Sequence, residues 1–191
     1  MVNLFISILR MLFMKKALVA GLAFVACSVY ADRYDSDYGL VFEGAFQLGS
    51  YTEDGFDTLS PSALSLRLEK PLTNFLSLRA DYAFGVDSDE TERSGVVYDL
   101  ELKKLMSGFL KGRYSTSDIL SVYVLLGFSK GEFSTEASGI VDTASDSSMS
   151  YGLGGTYQFD TKTALSVEYI SYFSGDSASY SGVNVGLSQS F

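Results

Sequence analysis

Beyond residue 37 the chain alternates. In eight stretches, residues 38–49, 62–70, 74–85, 97–115, 119–133, 148–160, 164–173 and 181–191, apolar side chains recur at every second position. Leu64, Leu66 and Leu68 oppose Ser65, Arg67 and Glu69; Leu76, Leu78, Ala80, Tyr82 and Phe84 oppose Ser77, Arg79, Asp81 and Ala83. The longest stretch sets Tyr98, Leu100, Leu102, Met106, Leu110 and Tyr114 against Asp99, Glu101, Lys103, Ser107, Lys111 and Arg113. A period of two belongs to a β-strand whose faces meet different surroundings. The connections alternate too. Residues 71–73, 116–118 and 161–163 read as three-residue turns, setting Leu68 opposite Leu76, Tyr114 opposite Leu120 and Phe159 opposite Leu165. Residues 50–61, 86–96, 134–147 and 174–180 are longer and polar. Together these predict an all-β fold, an eight-stranded antiparallel up-and-down barrel.

The faces decide what surrounds it. Every strand carries bulky Leu, Val, Tyr or Phe on one side, more volume than eight strands can enclose. The other side carries Gly, Ser and charges of both signs, which fit a packed polar interior. The apolar side is therefore predicted to face lipid, in a transmembrane β-barrel. Tyr114, Tyr157, Phe159 and Phe191 fall at the short-turn end; Phe84, Tyr98, Phe128 and Tyr151 fall towards the other. Two aromatic girdles are expected at bilayer interfaces. The reverse assignment is a lipocalin-like periplasmic binder with an apolar cavity.

The N-terminus has another character. Lys15 and Lys16, an apolar run and Val29-Tyr30-Ala31 form the charged region, apolar region and cleavage site of a signal peptide. The expected organisation is a signal peptide over residues 1–31, with 1–13 an upstream extension before Met14, then a barrel domain over 32–191. The apolar run is short for a membrane anchor, and Phe24 makes a poor lipobox before Cys27. Cleavage after Ala31 removes three cations and the sole cysteine. It leaves 11 cations against 23 acids, a net charge of −12. No disulfide framework remains, and the acidity argues against nucleic acid as a partner.

These features, with the terminal Phe191, resemble the small outer-membrane barrels of Gram-negative bacteria, of the OmpA/OmpX type. The resemblance covers residues 38–191 and lies in pattern. It implies an outer-membrane location, short periplasmic turns and a C-terminal signal read by the barrel assembly machinery. Asn184, Gly186 and Phe191 match that signal, while Gln189 stands where an apolar or aromatic residue is usual.

Candidate chemistry is sparse. Glu43, Arg67, Glu69, Arg79, Asp81, Glu101, Lys103, Lys111, Arg113 and Glu168 are expected in the lumen as a paired network that plugs it; the alternative is a narrow gated channel whose charges switch partners. Barrel enzymes that modify lipid A are families that use an active-site histidine, and this chain has none. No catalytic, cofactor or metal residues are assigned; the acidic run at residues 87–92 lacks the spacing of a calcium loop. The three-residue turn at 116–118 sets Lys104 opposite Lys130 on the outward face, an expected contact for a lipopolysaccharide phosphate. Residues 97–115 and 119–133 exceed a bilayer span and should project as a ribbon, whose edge and long loops offer a surface or host partner a place to bind. The sequence thus reads as a monomeric, non-enzymatic barrel with a structural or adhesin-like role.

Overall fold

The computed structural model describes residues 39–191, apart from 54–57, 94–95, 138–139 and 175–177. The predicted signal peptide, its cleavage site and Cys27 lie outside the described residues, as do Asp54 and Asp57. The strands are β1 (Val41–Glu53), β2 (Ser62–Pro71), β3 (Leu76–Asp87), β4 (Asp89–Arg93), β5 (Val96–Ser115), β6 (Leu120–Ala137), β7 (Ile140–Gln158), β8 (Thr163–Ser174) and β9 (Ala178–Ser190). All pairings are antiparallel. The order is β3-β2-β1-β9-β8-β7-β6-β5-β4, and β3 also pairs with β5, which closes the sheet. Since β4 continues β3 beyond Ser88, nine strands form eight barrel walls.

The alternation takes its expected sides. Leu66, Val124 and Leu153 are each more than 60% exposed on the outer face, while Ala63, Ser65 and Arg67 are buried within. Tyr114, Phe159, Phe128 and Tyr151 also stand exposed near the two ends. An apolar belt of this size is stable only against lipid or a partner.

The short turns are wider than predicted. Leu68 pairs with Ala80, Tyr114 with Val122 and Leu165 with Tyr157. Local side-chain hydrogen bonds are the reason. The Leu76 amide donates to Thr73 Oγ1 at 3.0 Å and the Leu120 amide to Ser117 Oγ at 3.2 Å. The amides of Lys162 and Thr163 both donate to Asp160 Oδ1 at 2.8 Å. Such bonds replace ladder bonds and favour a five-residue turn over a three-residue one. Each shift is even, so no side chain changes face.

Among the described residues, the longer connections are mostly strand. Of residues 134–147, expected as a loop, 134–137 belong to β6 and 140–147 to β7, with Ala137 paired to Ile140. Within 86–96, β4 pairs with the start of β5. Here water meets both faces, so the sequence alternation fades while the backbone still needs its ladder bonds.

One irregularity changes the faces of β5. The β5–β6 register slips at Lys103, between Leu102 and Lys104. This bulge inserts one residue and reverses the alternation above it. Leu100 and Leu102, predicted to face lipid, are buried inside. Glu101 and Lys103, predicted in the lumen, are exposed and bonded to each other at 2.7 Å. The predicted Lys104–Lys130 pairing does not form: Lys104 lies opposite Glu132, to which it is ion-paired at 2.6 Å, and Lys130 lies opposite Met106. The wider 116–120 turn moves the register by two, exchanging a like-charged neighbour for an opposite one.

Candidate functional site: the barrel interior and the outer hairpins

A charged layer crosses the lower interior. Arg67 on β2 and Arg79 on β3 both reach Glu168 on β8. Arg67 Nη2 lies 2.7 Å from Glu168 Oε1, and Arg79 Nη1 lies 2.8 Å from Oε2. Arg79 also donates to Asp81 through Nε at 2.8 Å and Nη2 at 2.6 Å. Arg67 is ion-paired with Glu43 on β1, which accepts a further bond from Ser166 at 2.9 Å. From β6 the Tyr123 hydroxyl donates to Glu168 Oε2 at 2.7 Å. Below, Lys111 on β5 donates to Glu69 at 2.7 Å, Ser77 donates to the same carboxylate at 2.6 Å, and the ammonium sits 4.2 Å from the Tyr123 ring centroid.

The remaining two walls contribute absence of bulk. A Cβ on Gly154 of β7 would lie 2.6 Å from the Tyr123 hydroxyl and 2.7 Å from Glu168 Cβ; one on Gly186 of β9 would run into Glu43 and Ser166. All eight walls thus shape the layer. Burying ions requires this completeness, because an unmatched charge in low dielectric costs several kcal/mol.

Above lies a neutral polar layer. Gln47 donates to Tyr180 at 2.8 Å, and Asn184 donates to the Tyr172 hydroxyl at 3.3 Å. Ser150, Ser129 and Ser107 form a hydroxyl chain at 2.6 and 2.8 Å. Higher still the interior is aromatic. Phe133 meets Tyr51, Phe173 and Tyr180 at centroid distances of 5.2, 5.7 and 5.1 Å, beside the inturned Leu100 and Leu102.

Seven of the ten predicted lumen residues meet in the charged layer: Glu43, Arg67, Glu69, Arg79, Asp81, Lys111 and Glu168. Glu101 and Lys103 do not, and Arg113 is exposed at the short-turn rim, donating to the Asn74 carbonyl at 3.2 Å. Asn184 and Gly186, expected in the assembly signal, point inward, and Phe191 directly follows β9. Sequence reasoning passed over Tyr123, Ser166 and the aromatic layer. Tyr123 and Leu125 alternate with the outward Val122, Val124 and Leu126, so strand parity alone could have found them.

The other feature is the extended hairpin pair. β5, β6 and β7 have 20, 18 and 19 residues, against 10 to 13 for β1, β2, β3, β8 and β9. The ladder between β7 and β8 spans only Tyr151–Gln158, so the upper half of β7 is paired with β6 alone among the described residues.

The family profile described as outer membrane protein beta-barrel domain matches residues 17–191. The structure of Ail, the attachment invasion locus protein of Yersinia pestis, is 18% identical, with a TM-score of 0.62 over 80% of this chain and 99% of that one. Ail has also been solved in complex with the heparin analogue sucrose octasulfate. Neisserial surface protein A is 11% identical, with a TM-score of 0.63 over 80% of this chain and 97% of that one. The N-terminal β-barrel domain of Pseudomonas aeruginosa OprF is 13% identical, at 0.54 over 78% and 97%. At such identities the likeness is one of fold. No curated protein sequence matches the chain.

Proposed function

Since the chain belongs to the outer membrane protein beta-barrel domain family, we propose that it is a non-enzymatic surface protein with a closed lumen, acting through its projecting hairpins. Its location is the outer membrane. The observation that carries the closed lumen is the double bridge of Arg67 and Arg79 to Glu168, within a layer shaped by every wall. The aromatic layer above supports it: water has to cross both an ion-paired layer and an apolar one. Reconstitution in planar bilayers tests this reading. Current should stay at background across ±100 mV, on the order of the gating potentials in membranes. Discrete openings would establish a gated channel with partner-switching charges instead.

The interior supports no enzyme reading. Each carboxylate of the charged layer is held by a cation, and the chain lacks histidine, the most frequent general acid–base. The projecting hairpins support a surface role, adhesin-like or structural, because a strand edge standing above the membrane is a docking element. Asn184, Gly186 and Phe191 are the residues through which we expect the assembly machinery to recognise the chain. The heparin analogue bound by Ail is a polyanion, and such a ligand does not suit this acidic surface. Asp99, Glu101, Glu132, Glu136, Asp142 and Asp146 all lie on the upper β5–β6–β7 strands. Lys130 faces Met106 and Ser147 across its ladders, and an outer-leaflet phosphate is the partner expected there.

A further inference from the structure

We propose that the unpaired edge of β7 accepts an extended cationic segment of a partner protein as an added strand. The inference rests on the surface role above and goes further by assigning the partner's conformation and charge.

The edge is long and open. From Ile140 to Met149 every β7 residue has a partner on β6 and, among the described residues, none on β8. Contact with β8 begins at Ser150, whose hydroxyl donates to the Tyr172 carbonyl, and the ladder at Tyr151. Ile140 and Val141 are 74% and 60% exposed. Proteins usually blunt such edges with Lys, Pro, bulges or short strands. None of these is present: residues 140–150 contain no Lys, Arg or Pro, and the β6–β7 register runs unbroken.

What the edge does carry is negative charge. Asp142 and Asp146 are exposed and share a face, being four residues apart, about 13 Å along a strand. On the opposite face, Glu90 on β4, Asp99 on β5 and Glu136 on β6 stand directly across from one another, and the row ends at Val141. Like charges in register destabilise a sheet. None of the three carboxylates is in an ion pair among the described residues. The nearby Lys103 and Lys104 are engaged by Glu101 and Glu132. Nor does any acidic group among the described residues have the arrangement of a metal site. A strand bearing Lys or Arg four residues apart would satisfy both backbone and charge. Its amides would continue the ladder, its cations would oppose Asp142 and Asp146, and the acidic row would draw it in from a distance. A second copy of this chain fits worse, since it brings the same aspartates to the same edge.

The test uses the barrel in nanodiscs and three labelled eleven-residue peptides of alternating Thr and Val. One carries two Lys four residues apart, the second Glu at those positions, and the third is the Lys peptide N-methylated at alternate amides. Anisotropy should show the Lys peptide binding about tenfold more tightly than the Glu peptide, as two exposed pairs allow. That preference should vanish in Asp142→Asn/Asp146→Asn, and the N-methylated peptide should not bind. Equal binding of the Lys and Glu peptides overturns the charge assignment and leaves an edge-docking role standing. Equal binding of the N-methylated peptide overturns strand addition and the edge-docking role together. No binding by any peptide overturns the inference as stated.

Discussion

At the scale of the residue, the contrast is between charges that are matched inside and charges that are matched in water. Glu168 is buried between two guanidinium groups and the Tyr123 hydroxyl. Glu168→Ala leaves both arginines short of a partner and should cost about 3–5 kcal/mol, read as a lower midpoint in urea unfolding from lipid vesicles. Glu101→Ala removes an exposed pair with Lys103, and its effect should stay within about 1 kcal/mol. Gly154→Val tests the space the layer needs. With a Cβ already 2.6 Å from the Tyr123 hydroxyl, folding yield should drop sharply, seen as loss of the heat-dependent shift in gel mobility. Asp160 is a pH case. The amides of Lys162 and Thr163 donate to its carboxylate and hold its pKa below the ordinary 3.8. The turn's stabilisation is therefore present above that value and fades as pH falls through the lowered one. Asp160→Ala should be the less stable protein at neutral pH, and the two melting curves should converge in strong acid.

At the scale of the element, one inserted residue governs the upper molecule. Below Lys103 the odd-numbered residues of β5 point inward; above it the even-numbered ones do. Deleting Lys103 removes the inserted residue and joins Leu102 to Lys104, so strict alternation from the inward Leu105 keeps Leu102 and Leu100 in and Glu101 and Asp99 out. We expect that deletion to leave the barrel folded at a cost of about 1 kcal/mol, and Lys103→Ala, which keeps the bulge, to change stability by no more than about 0.5 kcal/mol. Parallel melts of the two variants check this. The turns carry the same lesson: Thr73, Ser117 and Asp160 each spend a side-chain oxygen on local amides, and the strands start later than the apolar pattern suggests.

At the scale of the whole molecule, the interior is stratified: ion pairs low, neutral hydrogen bonds in the middle, aromatic rings high. The two blocking layers act in series. Phe133→Ala with Tyr180→Ala should thin the upper layer without giving measurable conductance, because the Arg67–Glu168–Arg79 layer still closes the section. Adding Glu168→Ala to that pair should produce current, if the variant is recovered folded. Single-channel recording of both variants separates the layers.

The sequence by itself determined the number of walls, their antiparallel order and the outward direction of the apolar face. Period-two alternation is a local property, written residue by residue, and lipid rewards it in every strand alike. It also brought Arg67, Arg79, Asp81 and Glu168 to the inside, because strand parity places them there whatever their partners are. Which of them would meet was decided only in three dimensions: Arg79 and Glu168 are 89 residues apart and join across the barrel. The Lys103 bulge, the even slips at the turns and the ladder above the membrane were equally tertiary outcomes. They arise from competition between backbone hydrogen bonds, turn side chains and neighbouring strands, and where water reaches both faces no alternation remains in the sequence to announce them.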